Sequence, residues 1–276
     1  MPTAYRRYVA LGDSQTEGLN DLDCSGLLRG WADRFAEHLA RTTSPELTYA
    51  NLAVRGCRAR HVRVNQLPAA LELRPDLATV VVGMNDLLRH DYDIEATVAD
   101  VEVSVSALRE QGAEVATMSF PDVALMLPVM SWLRPRQVLL NDRLTAMAAR
   151  YDVRLLDLFP LPLAGDPGMW SHARIHGSVL GHERIAAGMA RLFDLPGYDD
   201  SWAVPATVRA SRMTAALREA HWLGTFLVPF LVRQLRGRGP DVNAAAKRPL
   251  LVPVLPVSGG PQNDDGRPTL AGEAAV

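Results

Sequence analysis

Ser14 stands where an apolar run, Tyr8-Val9-Ala10-Leu11, stops at Gly12 and Asp13. That placement presents a hydroxyl at the carboxyl edge of a sheet, where open α/β sheets put their chemistry. A serine is a poor nucleophile until a neighbouring base takes its proton. His176, on a loop beyond the fifth strand-like run, is the candidate base. Attack on an acyl carbon also creates an oxyanion, which needs hydrogen-bond donors fixed in advance. Gly56 and Asn85 follow two further apolar runs. Taken singly, Gly56 reads better as a strand end, and Asn85-Asp86 as a helix cap, than as parts of a site.

The other reactive residues point elsewhere. His172, His176 and His182 invite a metal reading, but no Glu sits beside His172 and the spacing matches no zinc motif. No metal and no organic cofactor is therefore expected. His38, His61, His90 and His221 read as solvated or packed side chains, and His182 as capping or packing the start of the last core helix. Cys57 reads as a small buried residue. No Gly-x-x-x-x-Gly-Lys loop is present to cradle phosphate, which argues against a nucleotide binder.

These residues need a frame, and the hydrophobic pattern supplies one. Apolar runs at Tyr8–Leu11, 47–52, 77–82, 113–118 and 153–158 read as five strands. The third is almost continuously apolar, as a strand covered on both faces must be. Helical spacing fills the gaps at 27–40, 59–72, 94–111, 135–150 and 180–193. Strands alternating with helices predict a five-stranded parallel sheet with helices on both faces. Right-handed crossovers then bring the loops after the strands together on one rim. Ser14, Gly56 and Asn85 are expected to converge there, with His176 beside them.

Of the 276 residues, 48% are hydrophobic and 22% charged, with a net charge of -2, the balance of an ordinary soluble domain. That charge gives no basis for binding nucleic acid. Two cysteines cannot make a disulfide framework, and the first residues run into β-type sequence without an apolar leader. A cytoplasmic protein is expected. Residues 1–196 are expected to form the catalytic unit and 197–238 a helical extension, with its helix at about 207–236. Residues 239–276 read as a mostly disordered tail in which 247–253 can dock in extended form. The apolar run from Trp222 to Val232 is too short to insert across a bilayer. The arginines that follow it leave only weak membrane-surface contact open.

Gly12-Asp13-Ser14, then Asn51-Leu52-Ala53-Val54-Arg55-Gly56, then Gly83-Met84-Asn85-Asp86, and finally His176 come in one order over about residues 6–193. In this the chain resembles the SGNH hydrolases of the GDSL esterase/lipase family. The resemblance implies a flavodoxin-like three-layer α/β/α fold. It also implies hydrolysis of small or medium acyl esters, as an esterase, lipase or deacetylase, through a Ser14–His176 acyl-enzyme. The oxyanion donors it implies are the backbone N–H groups of Ser14 and Gly56 and the side chain of Asn85. The family's last block is Asp-x-x-His, and here it reads Ala173-Arg174-Ile175-His176. Loss of the acid from a triad costs about 10⁴ in turnover. Asp166 is the candidate substitute, with Asp157 also near in sequence. The alternative reading is a catalytically impaired relative that binds an acyl or carbohydrate ligand.

Overall fold

The computed structural model describes residues 3–205 and 245–254, together with Trp222, Gly224 and Thr225. In chain order it begins with β1 (Arg7–Gly12), α1 (Ser14–Glu17), α2 (Gly30–Thr42) and β2 (Thr48–Asn51). Then come α3 (Ala59–His61), a π-helical turn Val62–Gln66, α4 (Leu67–Glu72), β3 (Leu77–Val81), α5 (Met84–Leu87) and α6 (Ile94–Glu110). β4 (Glu114–Met118), α7 (Val123–Met126), α8 (Arg134–Arg150), β5 (Arg154–Leu156), α9 (Val179–Leu192) and β6 (Arg248–Pro253) complete it.

The sheet order is β5-β4-β3-β1-β2-β6, and the first five strands are mutually parallel. Without β6 this is the flavodoxin-like order, with its reversal between β1 and β3. Every residue of β3 is buried, and so is every residue of β1 after Arg7. Helices on both faces explain why these strands are continuously apolar rather than alternating. α2 packs against α9, while α6 contacts α4 and α8. Tyr8 of β1 stacks on Tyr49 of β2 with centroids 5.0 Å apart, and Phe35 of α2 meets Tyr8 edge-on.

The sheet has six strands rather than the five expected. Arg248–Pro253 returns from the far end of the chain and pairs antiparallel with β2, closed by Val254 N–H to Leu47 O at 2.9 Å. An uncovered parallel edge is a liability, and this strand covers it. Pro249 and Pro253 are tolerated because the strand is itself an edge. Lys247 anchors its start, donating to Leu28 O and Arg29 O at 3.0 Å and to Asp33 Oδ2 at 2.5 Å. Extended docking of 247–253 was legible, whereas its place in the sheet was not. The helix expected at about 207–236, with its basic end, lies outside the described residues apart from Trp222, Gly224 and Thr225.

The helix expected over 59–72 is interrupted by the π-helical turn, which turns Gln66 toward β1. There its amide accepts from Gly12 N–H and donates to Gly12 O, both at 2.9 Å. The backbone immediately before Asp13 and Ser14 is thus held from two sides.

Candidate active site

Asp13 ends the first strand and caps α1, its Oδ1 accepting from Gln15 N–H at 3.1 Å. Ser14 is consequently the first residue of a four-residue helix, so its own N–H has no partner within that helix. α1 ends at Gly18, which packs directly on Gly30 at the start of α2. A Cβ on Gly30 would lie 2.4 Å from the Gly18 Cα, so neither position accepts a larger residue.

His176 lies between β5 and α9 and reaches across 162 residues of sequence, placing Nε2 at 2.9 Å from Ser14 Oγ. Burial holds its pKa down to about 4, and His182 and Arg55 push the same way. The imidazole is therefore neutral near pH 7 and able to accept a proton. No carboxylate acts on it: among the described residues no hydrogen bond joins its ring to an acid.

Gly56 follows β2 in the turn Val54–Cys57, closed by Cys57 N–H to Val54 O at 3.3 Å. Its φ of 77° is the left-handed value that the third residue of such a turn takes, which explains glycine here. Asn85 follows β3 at the start of α5. Its Nδ2 donates to Cys57 O at 2.9 Å and to Asp13 Oδ2 at 3.2 Å. One amide thereby joins the loops after β1, β2 and β3. Asp86 is spent on structure, its Oδ2 capping α3 through Ala59 N–H at 3.0 Å.

Three further side chains tie the rim together, and sequence reasoning missed them. Glu17 accepts from Arg55 N–H at 2.7 Å and from Arg55 Nη2 at 2.5 Å, locking the Gly56 turn to α1. Gln15 links α1 to the histidine loop through Ile175 O and Gly177 N–H. Asp13 is enclosed, and burial raises its carboxyl to about 7, with Asp86 and Glu17 adding to the Gln15-opposed rise. The only local signal was Ser14-x-x-Glu17, a spacing that points the glutamate back to its own helix. In the fold it leaves that helix for Arg55.

Ser14, Gly56, Asn85 and His176 thus meet on one rim, as their positions after the strands required. Asp166 is not brought to the imidazole. Its Oδ1 caps the turn Pro167–Met169 through Gly168 N–H at 2.9 Å, and its charge acts on Arg184. Asp157 accepts from Ser119 Oγ at 2.6 Å. Ala173 is half-buried in a turn closed by Arg174 N–H to Ser171 O at 2.8 Å.

His182 caps a helix, though not its own. Its Nδ1 accepts from Trp31 N–H in α2 at 3.2 Å while Nε2–H donates to Leu19 O at 3.0 Å, which fixes its tautomer. Burial lowers its pKa. His172 is exposed. Among the described residues no group of His, Cys, Asp and Glu is placed to hold a metal ion. Burial pushes the Cys57 thiol up to about 11, away from reactivity. From the C-terminal region Trp222 is buried, and the Arg174 guanidinium lies over its ring at 5.2 Å.

Residues 10–184 match the model of the GDSL-like Lipase/Acylhydrolase family. Among solved structures the chain is similar to LAE5, an alpha/beta hydrolase enzyme from the metagenome of Lake Arreo, Spain. The two share 19% identity over 70% of this chain and 96% of that one, with a TM-score of 0.59. It is similar also to Axe2, an acetylxylan esterase from Geobacillus stearothermophilus, with 16% identity over 74% and 99% of the chains and a TM-score of 0.59. At these identities the likeness shows the fold. No curated protein matches the chain.

Proposed function

The chain belongs to the GDSL-like lipase/acylhydrolase family and is a carboxylic ester hydrolase of the serine type; on that premise we propose that Ser14 is its nucleophile and His176 its general base. The observation that carries this reading is the 2.9 Å contact between His176 Nε2 and Ser14 Oγ. Nε2 accepts the Ser14 proton as Oγ bonds to the acyl carbon. The carbonyl oxygen becomes an oxyanion, held by the N–H groups of Ser14 and Gly56 and by Asn85. Collapse releases the alcohol, which takes the proton from Nε2. Water then repeats the sequence on the acyl-enzyme and returns Ser14 with the free acid.

Asn85 has two Nδ2 hydrogens for this task. The one on Cys57 O at 2.9 Å fixes the amide, and the one on the longer 3.2 Å contact to Asp13 is the hydrogen shared with the oxyanion when it forms. His176 works as a dyad base, because Ala173 supplies no carboxylate and Asp166 serves Gly168. The same vacancy is what favours the second reading, an impaired protein that retains an acyl or carbohydrate ligand. The substrate is a small or medium acyl ester. The Axe2 likeness adds acetylated carbohydrates to those worth assaying.

Among the described residues no helix is long and apolar enough to cross a membrane. The free thiols of Cys24, which is exposed, and Cys57 support a reducing, cytoplasmic location.

A fluorophosphonate probe and a panel of p-nitrophenyl esters and acetylated sugars test the mechanism. The native protein is expected to be labelled at Ser14 and to turn over at least one ester. Ser14→Ala is expected to lose both properties with an unchanged melting temperature. An active Ser14→Ala overturns the serine mechanism. A native protein that is neither labelled nor active, yet binds an ester or sugar, establishes the second reading.

A further inference from the structure

We propose that Gln15 is a positioning residue for the general base: its side-chain amide clamps the backbone on both sides of His176 and holds the imidazole against Ser14. The inference rests on the Ser14–His176 reading and adds a part to it. Gln15 Nε2 donates to Ile175 O at 2.7 Å, and Gly177 N–H donates to Gln15 Oε1 at 3.3 Å. Ile175 and Gly177 are the two chain neighbours of His176. One planar amide, using its donor and its acceptor together, brackets the residue that must be placed.

The clamp is anchored at its other end. Gln15 directly follows Ser14, and its own N–H is capped by Asp13 Oδ1 at 3.1 Å. Asp13, Ser14 and Gln15 therefore form one short rigid piece that carries the nucleophile and grips the base. Other bonds of the histidine loop tie it to its neighbours in sequence, as Ser178 N–H to Met169 O at 2.9 Å does. Ser171 N–H to His176 O at 3.0 Å and Arg174 N–H to Ser171 O at 2.8 Å close the loop on itself without fixing it to the serine. Asn20 Nδ2 to Ser171 Oγ at 3.3 Å is exposed and five residues from His176.

Where a triad orients its imidazole through a carboxylate on the second ring nitrogen, this chain has alanine in that register. With the loop held on both sides, only two side-chain torsions of His176 are left, and the bond to Ser14 settles them. A reacting group displaced by about 1 Å costs on the order of 10²-fold in rate, so a clamp on the base has a measurable yield.

Two variants test this. Gln15→Met keeps length and volume but loses both hydrogen bonds. Gln15→Asn keeps the amide but is one methylene too short to span, which covers the case in which methionine impairs folding. The measurements are kcat and KM on p-nitrophenyl acetate, the rate of fluorophosphonate labelling at Ser14, the melting temperature and the pH profile of kcat/KM. In the folded variants kcat and labelling are expected to fall about 10- to 100-fold, with KM changed less than about twofold. The acid limb is expected to move upward, because a loosened ring gains water and escapes the burial, His182 and Arg55 that now hold it at about 4. A folded variant with native kcat and labelling rate overturns the proposal. So does a loss that falls on KM, or one that leaves the acid limb in place. Failure of the native protein to label at Ser14 refutes the underlying mechanism instead, and the two failures are told apart in one experiment.

Discussion

Ala173→Asp restores the register Asp-x-x-His three residues before the base, and its effect follows from the environment of His176. Burial holds that imidazole at about 4 against an ordinary 6.5. The difference corresponds to roughly 3 kcal/mol disfavouring the protonated ring. In acyl transfer the ring must carry the proton in the transition state, so this cost stands in the barrier. A carboxylate on the second ring nitrogen offsets it. Full offset is worth about 10²-fold in kcat, within the about 10⁴ that such an acid contributes in a complete triad. Ala173 is half-buried in the Ser171–Arg174 turn, where a short side chain can be added without displacing the core.

The assay is kcat/KM for a p-nitrophenyl ester across the pH range. Only the neutral ring accepts the serine proton, so the native rate is expected to rise through about pH 4 and then hold level. In the variant the carboxylate stabilises the charged ring, which raises its pKa and moves the limb upward. The gain is therefore full on the plateau and partly cancelled near pH 5. Asp166→Asn is the control. Asp166 Oδ1 serves Gly168 N–H, so this change is expected to leave the limb at its native position. If Ala173→Asp moves neither the limb nor the plateau, Ala173 is not the vacant acid position and the reasoning fails.

Asn85→Ala removes one oxyanion donor and is expected to lower kcat by about 10²–10³ with little change in KM, as steady-state kinetics would show. A pure KM effect would make Asn85 a ground-state contact. Lys247→Ala leaves Asp33 buried without its cation and takes the donor from Leu28 O and Arg29 O. Urea denaturation is expected to show a loss of about 3–5 kcal/mol. Burial already raises Asp33 to about 7, against the pull of Lys247. A group raised in the folded state loses stability as pH rises through its folded pKa, and without Lys247 that pKa lies higher still, so the deficit is expected to grow as pH rises through about 7, where native Asp33 ionises. A deficit below about 1 kcal/mol at every pH would show that Lys247 does not anchor β6.

Much of this protein is a matter of local period. The buried strands β1 and β3 advertise themselves as unbroken apolar runs, and the helices between them as faces at helical spacing. With right-handed crossovers, those alone place Ser14, Gly56, Asn85 and His176 on one rim. Burial along an element repeats every two or about 3.6 residues, so it is written in the neighbours of each residue. What a polar side chain binds is not. Asp166 was close enough in sequence to serve His176, but the amide two residues on was closer in space, and local capping won. Glu17 had a capping spacing and left it for Arg55, while Gln15 reached a loop 160 residues away. Arg248–Pro253 carries prolines that speak against a strand, yet it is one, because the exposed edge of β2 needed cover. Such partnerships depend on which loops meet after the sheet has formed, and that is decided by packing across the whole chain rather than by any stretch of it.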